Sequence, residues 1–130
     1  MTPLSWPESR PSSHFLLTSS ALAKRMLQLR PNCELCDIDL PPSALNARIC
    51  SYECTYCADC ADTVLQNVCP TCGGGFAPRP IRTRQAYHHP HISLGLGFNP
   101  ASDVRKYTRW SQDEIAAMTA RLKDVPPEER

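Results

Sequence analysis

No apolar run in this chain approaches the ~20 residues that a membrane-spanning helix needs. Glycine is scarce at five residues, and neither a phosphate-cradling loop nor a dinucleotide-binding fingerprint occurs. No Ser/His/Asp constellation stands out. The acidic residues Asp103, Asp113, Glu114, Glu128 and Glu129 fit solvated charge and helix starts better than paired catalytic carboxylates. These absences remove the usual enzyme classes, and a non-enzyme is expected. Aromatics are few at 7%, and a formal charge of +1 gives no strong field of either sign. Cysteine is missing from residues 1–32 and from 73–130.

All eight cysteines fall between: Cys33, Cys36, Cys50, Cys54, Cys57, Cys60, Cys69 and Cys72. The 33/36, 54/57, 57/60 and 69/72 intervals are C-x-x-C. Two cysteines three apart on a tight turn aim both sulfurs at one point, and two such pairs complete a tetrahedral zinc site. Eight ligands make two closed sites, so two structural zinc ions are the expected cofactor. A folded unit of about sixty residues lies near the lower limit for a stable hydrophobic core. Zinc can supply the difference, and the metal-free protein is expected to be largely unfolded.

A disulfide framework would need an oxidising compartment. Residues 15–23 are mildly apolar, but Thr18, Ser19 and Ser20 interrupt them, and Glu8 offsets Arg10 where a positive leader segment would begin. The expected location is cytoplasmic, where thiols stay reduced. Eight thiolates and two zinc dications shift the formal charge to about −3, which disfavours attraction of nucleic acid by the whole protein. A basic strip at Arg79, Arg82 and Arg84 either offsets the zinc–thiolate charge or contacts an acidic partner.

Residues 1–25 read as a disordered N-terminal extension rich in proline and serine, with Met26 a candidate start. Residues 26–84 form the two-zinc domain, 85–109 a linker, 110–124 an amphipathic helix and 125–130 a tail. Alternation over 48–56 predicts a short β-hairpin around Cys50 and Cys54. Residues 61–68 predict two helical turns with Val64, Leu65 and Val68 on one face. Ser111 followed by Glu114 is a capping box, with Trp110 and Ile115 placed as a hydrophobic staple. Ile115, Met118 and Leu122 then share a face expected to pack on the same chain. His88, His89 and His91 read as exposed linker histidines rather than a metal tract.

Two ligand pairings compete. Sequential pairing groups Cys33, Cys36, Cys50 and Cys54 against Cys57, Cys60, Cys69 and Cys72. Interleaved pairing groups Cys33, Cys36, Cys57 and Cys60 against Cys50, Cys54, Cys69 and Cys72. Interleaving closes loops of twenty and fourteen residues, long enough for a hairpin and a helix, whereas sequential pairing leaves eight residues between the last two knuckles. The gaps of 2, 13, 3, 2, 2, 8 and 2 residues, with Leu35, Tyr56 and Pro70 beside their ligands, resemble an all-cysteine RING finger. That resemblance implies the interleaved cross-brace. The run 29–33, the Asp39-Leu40-Pro41-Pro42 loop, residues 49–57 and 69–74 resemble the bacterial family called domain of unknown function 1272. This likeness implies a small zinc-binding protein and carries no activity.

The expected fold is therefore a small α+β zinc-stabilised module, RING-like or treble-clef, with a short hairpin, a short helix and a C-terminal amphipathic helix. The favoured role is an interaction module for an unknown protein partner, with no membrane partner. A nucleic-acid binder using Arg30, Arg48, Arg79, Arg82 and Arg84 beside Tyr52, Tyr56 or Tyr87 is an alternative. A ubiquitin-ligase-like role is another; Leu35 and Pro70 suit the RING docking groove, but no tryptophan lies between Cys60 and Cys69, and Gly73 stands where a basic residue often does. Redox or metal sensing by the paired thiols is the remaining reading.

Overall fold

The computed structural model describes residues 26–88 and 93–130. The predicted N-terminal extension, together with His89 and His91, lies outside the described residues. A three-stranded antiparallel sheet forms the centre, in the order β2-β1-β3. β1 (Ala47–Ile49) pairs with β2 (Thr55–Cys57) in the register Ala47↔Cys57, Arg48↔Tyr56 and Ile49↔Thr55. β3 (Ala77–Pro78) closes the other edge of β1. Proline suits that position, because an edge strand can spare the ladder donor that proline lacks. The hairpin turn is tied by Cys50 N–H to the Cys54 carbonyl at 3.1 Å and Glu53 N–H to the Cys50 carbonyl at 3.0 Å.

After β2 the chain enters a π-turn, Cys60–Val64, closed by Leu65 N–H on the Cys60 carbonyl at 2.9 Å. The two helical turns predicted over 61–68, with Val64 on the inner face, are corrected here to this one shorter turn. The wider turn sends Cys60, Ala61 and Leu65 inward together, and left-handed Gln66 (φ 47°) and Asn67 (φ 64°) end it at once. Val64 consequently faces solvent, while Leu65 and Val68 are fully buried.

The core is thin. Its largest fully buried side chains are Tyr56, Leu29, Leu40, Leu65 and Val68, joined by the polar Asn32 and Thr55 and by Cys33 and Cys69. Each such aliphatic contributes about 1.5–3 kcal/mol, set against about 1.5 kcal/mol of conformational entropy for every ordered residue. Burial alone leaves little margin. Tyr56 meets Phe76 edge-on, with ring centroids 5.4 Å apart.

The stretch expected to be a linker runs as a strap along the module. Ser102 N–H donates to the Leu29 carbonyl at 3.0 Å, and Thr108 N–H to the Glu34 carbonyl at 2.8 Å. Asn32 exchanges two bonds with the Lys106 main chain, at 2.8 and 3.1 Å. The strap leads into α1 (Gln112–Leu122), capped by Ser111 and Glu114 in a reciprocal pair at 3.1 and 2.8 Å. Ile115 is buried in the core cluster, Trp110 packs against that cluster, and Met118 and Leu122 are half-buried. The apolar face thus packs on the same chain. Beyond a 3-10 turn, Pro127–Glu129, the Arg130 guanidinium donates to the carbonyls of Asn67 and Gly73 at 2.8 and 3.0 Å.

Candidate metal centres

The first cysteine group is assembled from two distant segments. Cys33 and Cys36 sit on a knuckle closed by Asp37 N–H on the Cys33 carbonyl at 2.9 Å, with Asp37 in the left-handed region at φ 68°. Cys57 ends β2, and Cys60 opens the π-turn. The four sulfurs all lie within 4.8 Å of one another, and Cys36 Sγ is 3.7 Å from Cys57 Sγ. A zinc ion with Zn–S bonds of about 2.3 Å holds its sulfurs about 3.8 Å apart, so this donor set has the size a tetrahedral ion requires. The Cys36 amide points at Cys33 Sγ (3.5 Å) and the Cys60 amide at Cys57 Sγ (3.4 Å), an arrangement that stabilises thiolate over thiol.

The second group contains Cys50, Cys69 and Cys72, again within 4.8 Å of one another. Gly73, at φ 80°, turns the chain so that Gly74 N–H reaches Cys72 Sγ at 3.3 Å. A side chain at Gly73 would also press on Leu122 of α1. Cys50 Sγ accepts from Tyr52 N–H at 3.3 Å. Cys54 stands against the Cys50 and Cys69 thiols but outside the mutually close trio. The spatial groups therefore alternate along the chain: the 33/36 pair joins 57/60, and Cys50 joins 69/72.

The sulfurs within each group shift one another in opposite directions. Hydrogen bonds from the Cys54 and Cys69 thiols, with help from the Tyr52 amide, hold Cys50 down at about 2. The same contact with Cys50 pushes Cys54 up to about 11, and contacts with Cys50 and Cys54 push Cys69 far up. In the first group burial raises Cys57 and Cys60. Cys33 is lowered, because amide donors outweigh its own burial. Both groups could hold a metal ion.

A family model described as a protein of unknown function (DUF1272) matches residues 26–82. An uncharacterised protein from Rhizobium meliloti is 60% identical over 57 residues, which make up 44% of this chain and 68% of that protein. The chain belongs to the DUF1272 family. No solved structure matches it. The DUF1272 span holds all eight cysteines and the whole sheet, and it stops short of the strap and α1.

Several residues singled out in the sequence are placed differently. Arg79 is buried, and its guanidinium donates to the carbonyls of Arg30, Leu40 and Pro41 at 2.8, 3.1 and 2.9 Å. Arg82 likewise donates to the carbonyls of Leu27 and Asn99 at 2.7 and 2.9 Å. The basic strip is thus spent largely on the protein's own backbone, leaving Arg84 exposed. Tyr56 is in the core and out of reach of a base, whereas Tyr52 and Tyr87 are exposed. Leu35 packs against the core cluster and shares a groove with Gln112, Ile115 and Ala116 of α1, while Pro70 and Thr71 meet Trp110, whose ring N–H donates to the Thr71 hydroxyl at 2.9 Å. Leu35 and Pro70 thus both line grooves shared with this chain's own helix. His88 is exposed.

Sequence reasoning missed the supports of the first knuckle. Glu34 is buried beside Cys33, accepting from Thr55 N–H at 2.8 Å and from Arg30 at 2.6 Å. Arg105 grips Asp37 and Asp39 at 2.7 Å each. An arginine four residues before a glutamate was the one readable signal. Nothing local points from Arg105 to the aspartates 66 and 68 residues away. No helix among the described residues is long and apolar enough to cross a membrane.

Proposed function

We propose that this DUF1272 protein is a non-enzymatic interaction module of the cytoplasm, held by two structural zinc ions in an interleaved, RING-like cross-brace. Cys33, Cys36, Cys57 and Cys60 bind one ion. Cys50, Cys54, Cys69 and Cys72 bind the other, with Cys54 turning in to complete the set. The observation that carries this reading is the set of four sulfurs within 4.8 Å of one another, one pair at the edge length of a zinc tetrahedron. Four thiolates saturate zinc and leave no position for water or substrate, so the metal acts as a crosslink rather than a Lewis acid. The partner is a protein that recognises the folded surface rather than the metal.

Elemental analysis and native mass spectrometry of the full chain should return two zinc ions per molecule with all eight thiols reduced. Material with far less than two equivalents, or with the cysteines in disulfides, would end this reading. Cys57→Ser tests the pairing: it should release one ion and raise hydrogen exchange across 33–40. Exchange confined to 57–72 would instead favour the sequential arrangement.

A further inference from the structure

The 33/36 and 69/72 knuckles differ in how their second cysteine is protected. Cys72 is half-buried and accepts the Gly74 amide at 3.3 Å. Cys36 holds the same place in its own knuckle, followed like Cys72 by a left-handed residue. Cys36 is an exposed residue, however; its sulfur stands 3.7 Å from that of Cys57 and within 4.8 Å of those of Cys33 and Cys60, and no amide donates to it among the described residues. The other sulfurs are guarded by burial (Cys33, Cys50, Cys54, Cys57, Cys60 and Cys69), several of them also by amides. An N–H bond to a thiolate draws charge from the sulfur and weakens it as a nucleophile, and burial keeps oxidants away. Cys36 has neither protection.

We propose that Cys36 is a modification site: the thiolate that a two-electron oxidant such as hydrogen peroxide reaches first, with Cys57 as its resolving partner. This rests on the zinc reading above. The Cys36 sulfur donates an electron pair to one peroxide oxygen, the O–O bond breaks, and hydroxide departs, leaving a sulfenic acid. The Cys57 thiolate then attacks that sulfur, the S–S bond forms, and a second hydroxide leaves. Two thiolates have lost two electrons, and the peroxide has become two hydroxides, which solvent protonates to water. Cys33 and Cys60 alone are too few to retain an ion, so the first group opens while the second stays closed. The Cys33–Cys36 knuckle is also where Asn32, Glu34 and Asp37 hold the strap, so the same event loosens residues 101–110.

The test uses the zinc-loaded full chain, with its metal content measured first. Fewer than two equivalents at that point would overturn the zinc reading itself. With two present, substoichiometric hydrogen peroxide is followed by alkylation of free thiols and peptide mapping. The expected first product is a Cys36–Cys57 bridge, with release of one zinc equivalent of the two, restored by reductant and added zinc. A first bridge among Cys50, Cys54, Cys69 and Cys72, a bridge from Cys36 to another partner, or a Cys36 that stays alkylatable would overturn the inference. In Cys36→His, which keeps a zinc ligand but removes the sulfur, peroxide-driven zinc release should slow by about tenfold or more. Equal rates in wild type and Cys36→His would also overturn the inference. Should Cys36→His fail to load zinc, the wild-type peptide map decides.

Discussion

Residues 26–82 carry eight cysteines and strands of only two or three residues, whereas 93–130 carry no cysteine and an eleven-residue helix with a complete capping box. The first region also contains the four non-glycine residues with positive φ found among the described residues: Asp37, Glu53, Gln66 and Asn67. Each costs about 1 kcal/mol or more, and each lies within a few positions of a cysteine. The second region is locally relaxed, with its single positive φ at Gly95. On the proposed reading a metal crosslink holds the turns of the module, while the strap and helix rest on the module's surface, which covers Ile115.

Metal removal should break this contrast most completely. Chelation withdraws about 10–16 kcal/mol per site, and the helical circular dichroism of α1 should vanish with the module, because its cover on Leu35 and Leu65 goes too. A helix that survives chelation would mean that the strap stands alone. Ile115→Ala tests the dependence from the other side. It should cost about 2–5 kcal/mol and raise hydrogen exchange over 101–122, while the metal content stays at two. Loss of zinc in that variant would show that the regions are one cooperative unit. Ser111→Ala removes only the helix cap. It should cost about 1 kcal/mol and increase exchange in the first turn of α1, leaving the knuckles unchanged.

The smallest effect at neutral pH sits at the seam. Tyr56 is buried, its hydroxyl makes no well-formed hydrogen bond among the described residues, and Thr108 of the strap lies alongside. Burial, then the neighbouring Cys69 and Glu34, push its phenol well above the ordinary 10.0. The folded state thus keeps a proton that the unfolded chain gives up. Stability from this group is complete below pH 10 and is lost as pH climbs past that value. Tyr56→Phe should change stability at pH 7 by no more than about 1 kcal/mol and flatten the decline on the alkaline side, read by denaturant unfolding at pH 7 and above 10. An unchanged alkaline limb would place the loss elsewhere.

What could be read from the sequence was local. The hairpin followed from alternation over 48–56, and the helix start from Ser111 and Glu114, because each feature is complete within a few residues. The interleaved grouping drew on loop lengths and on a family likeness. The π-turn was hidden, since Ala61, Val64, Leu65 and Val68 match ordinary helical spacing and only the demand to turn Cys60 and Leu65 inward together distinguishes it. Arg79 looked like a solvent or phosphate residue because its carbonyl partners lie 38 to 49 residues back. The strap was read as a linker for the same reason. Its main-chain bonds to Leu29, Asn32 and Glu34 leave no mark on composition.

The Arg79 fork sets a practical boundary for anyone shortening this protein. Its planar head spans three carbonyl oxygens, a geometry that the compact ammonium of lysine cannot reproduce. A fragment that stops ahead of this residue leaves those oxygens stranded beside the first knuckle, and it should precipitate even with zinc supplied. One that continues a few positions beyond it keeps the clasp shut.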